Sequence, residues 1–255
     1  MIHYDLHTHT TFSDGAHSLE ITVKFAEAVG LEAVAITDHF TPKSRLWTEE
    51  GLFDTYLAEM AQASEQADVF VLRGVEATLL NVHGEVSMNE KVFSKLDVVL
   101  VDLSGHTEGV LGNPPASQRQ ILTNLTTCLI NAMSNPLFHV LAHPFNLGRL
   151  PEPIEPADVP RRDLEEIAAA MRENGKAFEV INCMFWWFPQ MLVRRFTEQY
   201  IEIVQCFAEE GVRFSVGSDD HRTGVGNLGW SHRVLRAANV PREQIIDPRV
   251  HFRKT

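Results

Sequence analysis

The chain has 255 residues, 44% of them apolar and 22% charged, an ordinary globular composition long enough to bury a core without staples. Its formal net charge of −12 opposes binding to long nucleic acid or to an anionic membrane surface. Cys128, Cys183 and Cys206 are odd in number and far apart, with no CxxC; this argues against a disulfide framework and a thiolate zinc site, and fits a reducing cytoplasm.

Residues 1–7 carry neither a basic region nor an apolar run, so no secretory signal is expected. No apolar stretch approaches the roughly 18 residues needed to span a bilayer. Residues 2–6 read as a first strand. Ser18 is suited to cap a helix over residues 19–29, stopped by Gly30. Residues 32–37 (EAVAIT) read as a second strand, 52–67 as a helix and 69–75 as a third strand. Residues 76–88 form a hairpin excursion turning at His83-Gly84. A β-rich run covers 96–103, a helix 117–133 after Pro114-Pro115, and a strand 138–142. A helix over 161–173 stops at Gly175, a strand covers 177–181, and a long helix over 190–210 stops at Gly211. The last clear strand is 212–217, and a final helix covers 231–238.

Strands alternating with helices imply βαβ units and a parallel sheet. About seven such units in one chain point to a closed or nearly closed barrel, a single domain over residues 1–255. The Pro-rich stretch 151–160 reads as a loop between units, and no composition shift marks a boundary.

Six polar clusters punctuate this pattern: His7-Thr8-His9, Thr37-Asp38-His39, Gly74-Val75-Glu76, Gly105-His106, Ala142-His143-Pro144 and Ser218-Asp219-Asp220-His221. Each follows a short run rich in Val, Ile, Leu or Phe, so His, Asp and Glu are delivered repeatedly to the C-terminal ends of strands, where barrel active sites lie. Residues two apart on a strand share a face, so His7 and His9 can point at one ion, as can Asp219 and His221. Imidazole and carboxylate are the ligands of Zn, Mn and Fe. So many donors exceed the four or so that one ion takes and point to a hydrolytic site with two or three metals.

These motifs resemble the PHP (polymerase and histidinol phosphatase) family. Asp5-Leu6-His7-Thr8-His9 with Ser13-Asp14-Gly15 is similar to its first motif, and Thr37-Asp38-His39 to its second. Gly74-Val75-Glu76 and His106 resemble the third region; His143, then Asp219 with His221, resemble the fourth. Residues 73–86 (RGVEATLLNVHGEV) further resemble the stand-alone bacterial phosphoesterases of the family. The resemblance implies a distorted (β/α)7 TIM-like barrel with a trinuclear centre of Zn, Mn or Fe. It implies one ion on His7, His9, Glu76 and Asp219, a second sharing Glu76 with His106 and His143, and a third on Asp14, His39 and His221. Some relatives carry a His in the loop after the first strand; here Asp14 fills that place, and the nearby His17 is the alternative.

The expected activity is hydrolysis of a small phosphorylated metabolite by a hydroxide bridging the ions joined by Glu76, histidinol phosphate being one specific candidate. Arg149 and Arg222 are the candidates for gripping phosphate, since Arg suits bidentate phosphate contact. Asp38 and Asp220 adjoin ligands and are candidates for orienting them. The aromatic segment 184–189 follows a strand, which makes it a lid or wall of the site, core packing between barrel and outer helices, or a subunit contact. His83 reads as a solvated turn residue, His139 as barrel packing, and His3, His232 and His251 as surface or structural residues. The alternatives are a diesterase acting on short nucleotides, an amidohydrolase-like C–N hydrolase and a non-catalytic metal-binding protein. A small phosphate ester is the expected partner; self-association is left open.

Overall fold

The apolar runs become seven strands in the computed structural model, which describes residues 3–252. Ile2, where the sequence pattern starts the first strand, lies outside the described residues. The strands are β1 (Tyr4–Asp5), β2 (Ala33–Ile36), β3 (Phe70–Thr78), β4 (Val98–Asp102), β5 (Val140–Leu141), β6 (Ala177–Ile181) and β7 (Arg213–Gly217). They pair in parallel and in chain order, β1 to β7. Nearly every strand residue is buried, as it must be when helices cover one face and side chains fill the other.

Hydrogen bonds also close β1 onto β7. The amide of Leu6 donates to Val216 O at 3.1 Å, that of Asp219 to His7 O at 2.9 Å and that of His9 to Asp220 O at 2.9 Å. The expected barrel is therefore the observed one. Helices Leu19–Ala28, Leu52–Gln66, Gln118–Met133, Arg161–Glu173, Val193–Glu209 and Gly229–Ala237 surround it. Ser18 caps the first of them by accepting from Ile21 N. Among the described residues, no helix is long and apolar enough to cross a membrane.

Three departures from the sequence pattern have local causes. β3 runs on to Thr78, so Glu76 stands inside a strand and not in the hairpin; the excursion proper is held by the Leu79–Val86 bridge, with Gly84 N donating to Asn81 O at 3.1 Å. The long helix starts at Val193 because Met191 N turns back to Phe188 O at 2.9 Å beyond Pro189. Short helices Arg45–Thr48, Glu90–Phe93 and Pro248–His251 are too brief for a hydrophobic period to reveal.

Candidate metal centre

The clusters that end the strands meet at one mouth of the barrel. His7 and His9 follow β1 and are fully enclosed. Thr8 between them faces the other way: its amide donates to Thr37 Oγ1 at 3.0 Å and its hydroxyl to Ala35 O at 2.7 Å. Alternation along the strand thus pins the two imidazoles on one side. Asp219 and His143 both sit in the left-handed backbone region, at φ 54° and 31°. Such residues cost about 1–3 kcal/mol each and collect at functional sites.

Four donor atoms face one another in this mouth. His7 Nε2 is 3.5 Å from both Glu76 Oε2 and Asp219 Oδ1. His9 Nε2 is 3.7 Å from Glu76 Oε2 and 3.2 Å from Asp219 Oδ1. Ligands about 2.0–2.1 Å from a tetrahedral zinc stand about 3.3–3.4 Å apart, so these spacings match the edges of a zinc shell. His7 Nε2, both ring nitrogens of His9, Glu76 Oε2 and His143 Nδ1 are buried without a well-oriented hydrogen bond. Buried polar atoms seldom go unpaired, because desolvation costs about 1–3 kcal/mol for each. A cation among them removes that cost, so the residues present fit divalent metal.

Two further groups adjoin this one. Glu76 Oε1 lies 2.8 Å from His143 Nε2, and Asp102 joins that pair. Asp14, His39 and His221 form the other: His221 Nε2 is 3.3 Å and His39 Nε2 3.6 Å from the Asp14 carboxylate. His9 stands between the first group and this one, its Nδ1 3.9 Å from Asp14 Oδ1. His39 Nδ1 also reaches Glu76 Oε2 at 2.8 Å. Glu76 therefore touches all three groups. His17 stays outside, its ring edge-on to Phe25 at 5.2 Å.

The charges answer one another. Burial pushes the Glu76 carboxyl up, but the imidazoles of His7 and His39 and the contact with His143 outweigh it and hold Glu76 well below the usual carboxylate range. Asp219 is lowered in the same way by His7 and His9, again against burial. His7 is driven well above its ordinary value: burial opposes this, while the carboxylates of Glu179, Glu76 and Asp219 prevail. His9 goes the other way, pushed down by burial and by the neighbouring charges of His39 and His7. Asp102 is raised to about 6 by burial and the Glu76 charge.

Behind the donors stands a residue the sequence reading passed over. Glu179, the third residue of β6, is fully buried, and its two oxygens lie 2.9 and 3.1 Å from His7 Nδ1. It also accepts from the backbone amide of His143 at 2.9 Å. A carboxylate on Nδ1 fixes the tautomer and turns Nε2, with its lone pair, toward the site. Gly217 makes room for this pair: a Cβ there would lie 2.4 Å from His7 Cβ and 2.8 Å from Glu179 Oε1. The one clue in the sequence was an acidic residue in the middle of the apolar strand AFEVI.

Among the described residues, Asp38 and Asp220 bond to loop groups and to no imidazole. Asp38 accepts from the amide and hydroxyl of Thr10, at 2.8 Å each, and from the amide and hydroxyl of Ser13, fixing the loop that carries Asp14. Asp220 accepts from Arg222 N at 3.0 Å and from Gly224 N, folding the chain after His221 into an Asx turn. That turn leaves Arg222 exposed and outside the lining of the cavity.

The mouth opens into a cavity of about 720 Å³, with Arg149 on its wall together with Lys43, Arg45, His106 and Trp187. His106 lines this cavity but, among the described residues, joins none of the donor groups; its segment leaves β4 in a tight turn, Thr107 N donating to Ser104 O at 2.9 Å and Ser104 N to Thr107 Oγ1 at 3.1 Å. The aromatic segment divides its roles. Met184 and Phe188 are core, Trp186 is exposed, and Trp187 meets the His143 ring edge-on at 4.8 Å with the Arg149 guanidinium 5.8 Å from its own ring. His139 accepts from Val99 N at 3.0 Å and stacks on Phe93, a packing role, and His83 is exposed in its turn.

The model of the PHP domain family matches residues 5–182. A probable phosphatase of Caldanaerobacter subterraneus is 31% identical over 250 residues, covering 96% of this chain and 87% of the relative. A probable phosphatase of Proteus mirabilis is 28% identical over 248 residues, covering 95% and 89%. Among solved structures, the histidinol phosphate phosphatase of Lactococcus lactis, complexed with zinc, L-histidinol and phosphate, shares the fold with a TM-score of 0.69 at 18% identity, covering 94% of this chain and 95% of that one.

Proposed function

Since the chain belongs to the PHP domain family, we propose that it is a metal-dependent phosphomonoesterase acting on a small phosphorylated metabolite, a single barrel domain working in a reducing cytoplasm. That it is a hydrolase of phosphate esters follows from the family and from relatives named phosphatases along most of its length. The observation that carries the finer reading is the shell of His7, His9, Glu76 and Asp219, spaced at 3.2–3.7 Å and facing a cavity of metabolite size. That shell would hold one divalent ion; Glu76 with His143, and Asp14 with His39 and His221, are the places for a second and a third. His and carboxylate suit Zn, Mn and Fe alike.

Bound divalent metal supplies acidity to water near neutral pH and offsets charge on phosphoryl oxygens. The protein's own residues do the rest. Glu179 keeps His7 in the tautomer that leaves Nε2 free to bind. Arg149 stands where a guanidinium can grip a phosphate oxygen, and its contact with Trp187 limits its swing. Trp187 and His106 wall the space left for the leaving group. The net charge of −12 favours a small monoester over a polynucleotide. Histidinol phosphate, the substrate named in the Lactococcus lactis protein, belongs in the test panel with sugar phosphates and nucleotides.

The test is phosphate release from that panel by Zn- or Mn-supplemented protein, with Asp219→Ala as control. Release from a monoester class, lost in the variant, supports the reading. Cleavage of diesters or amides without any monoester turnover refutes it.

A further inference from the structure

We propose that Asp102, and not His106, completes the second metal position with Glu76 and His143. This rests on the multinuclear reading above and departs from the ligand set that the sequence motifs imply. Asp102 is the last residue of β4, in register with Thr78 of β3, two residues beyond Glu76. Its carboxylate, Glu76 and His143 bring ligand atoms within 4.8 Å of one another. It is 5% exposed, lines the cavity, and its Oδ1 is buried with no hydrogen-bond partner.

Two carboxylates enclosed this closely repel unless a cation lies between them. Among the described residues, no Lys or Arg ion pair reaches either Asp102 or Glu76. The His143 imidazole already faces Glu76 Oε1 and leaves Asp102 Oδ1 unanswered. A divalent ion among the three satisfies both carboxylates at once, and carboxylate, carboxylate and imidazole form a donor set at home with Mn, Fe or Zn. His106 shares only the cavity wall with Asp102. It is half-exposed, it stands outside the donor groups found among the described residues, and the Ser104–Thr107 turn holds its backbone four residues beyond the strand end. On this account His106 is a wall residue facing substrate, and the acidic strand end of β4 has taken over its expected role.

The test counts ions. Wild type, Asp102→Asn and His106→Asn are stripped, reloaded with Zn(II) or Mn(II), desalted and measured by plasma mass spectrometry, with circular dichroism to confirm folding. The expected result is one ion fewer per chain in Asp102→Asn and an unchanged count in His106→Asn. An unchanged count in Asp102→Asn, or a loss in His106→Asn, overturns the proposal. An anomalous-difference map of loaded wild-type crystals decides the matter even if a variant fails to fold: a peak about 2.0–2.2 Å from an Asp102 oxygen supports it, and a peak on a His106 nitrogen without Asp102 overturns it. Wild type holding a single ion would instead overturn the multinuclear reading itself.

Discussion

Replacing Glu179 by Gln keeps the volume and removes a charge that the structure uses twice. Both carboxylate oxygens accept: from His7 Nδ1 at 2.9 and 3.1 Å, and from the His143 amide at 2.9 Å. A carboxamide offers one acceptor and one donor. Whichever way it turns, an NH₂ faces an N–H, or His7 must switch tautomer and give up Nε2 as a lone-pair donor. One buried unsatisfied donor costs about 1–3 kcal/mol. At about 1.4 kcal/mol per decade, that predicts a roughly 5- to 150-fold loss of metal affinity, in line with the 10- to 100-fold usual for partners behind a metal-binding histidine. The assay is zinc competition against a chromophoric chelator, with activity at saturating metal measured alongside. Affinity within twofold of wild type would refute the reasoning that Glu179 sets the tautomer.

The remaining expectations are independent of that one. Gly217→Ala drives a methyl against His7 and Glu179, and overpacking of this kind costs about 1–3 kcal/mol; at about 2–4 °C per kcal/mol, the melting temperature falls by several degrees and zinc affinity falls with it, whereas unchanged melting contradicts the close approach. Arg149→Ala lowers kcat/KM by about 10- to 100-fold, the worth of a charged hydrogen bond, while Arg222→Ala stays within about twofold; the reverse order would restore Arg222 to the site. In the metal-free protein, burial pulls His7, His39, His143 and His221 down, but neighbouring carboxylates win and hold all four above the ordinary imidazole value. A raised imidazole contributes stability that is fully present below about pH 6.5 and lost as pH rises through the folded value. The metal-free protein should therefore melt earlier as pH climbs above about 6.5, while zinc, which displaces those protons, binds more tightly over the same interval; melting curves that shift in parallel with and without zinc contradict this.

The barrel and its mouth were legible because polar residues interrupt apolar runs at the same point in each unit. His7 after β1, His39 after β2, His143 after β5 and Asp219 after β7 stand out against Val and Ile neighbours, and alternation on a strand already pairs His7 with His9. Contacts made across the barrel were not legible. Glu179 lies 172 residues from His7 and reads locally as an odd charge in a buried strand. Asp102 drew no notice inside the apolar run 96–103, while His106 carried the more familiar letter; the structure puts Asp102 at the end of β4 and His106 after it, in the Ser104–Thr107 turn. Arg222 seemed well placed by adjacency to His221, but a backbone turn held by Asp220 decides its direction. Sequence adjacency fixes where a residue enters the mouth of the barrel and not which way a loop then turns.

The central claim is that these donors hold metal on which phosphate-ester hydrolysis depends. The most direct measurement strips the protein with chelator, then titrates Zn(II) or Mn(II) back while following release of inorganic phosphate from its best monoester. The account predicts no turnover in the metal-free protein and recovery that saturates at two or three ions per chain. Full activity in protein shown to be metal-free would contradict it.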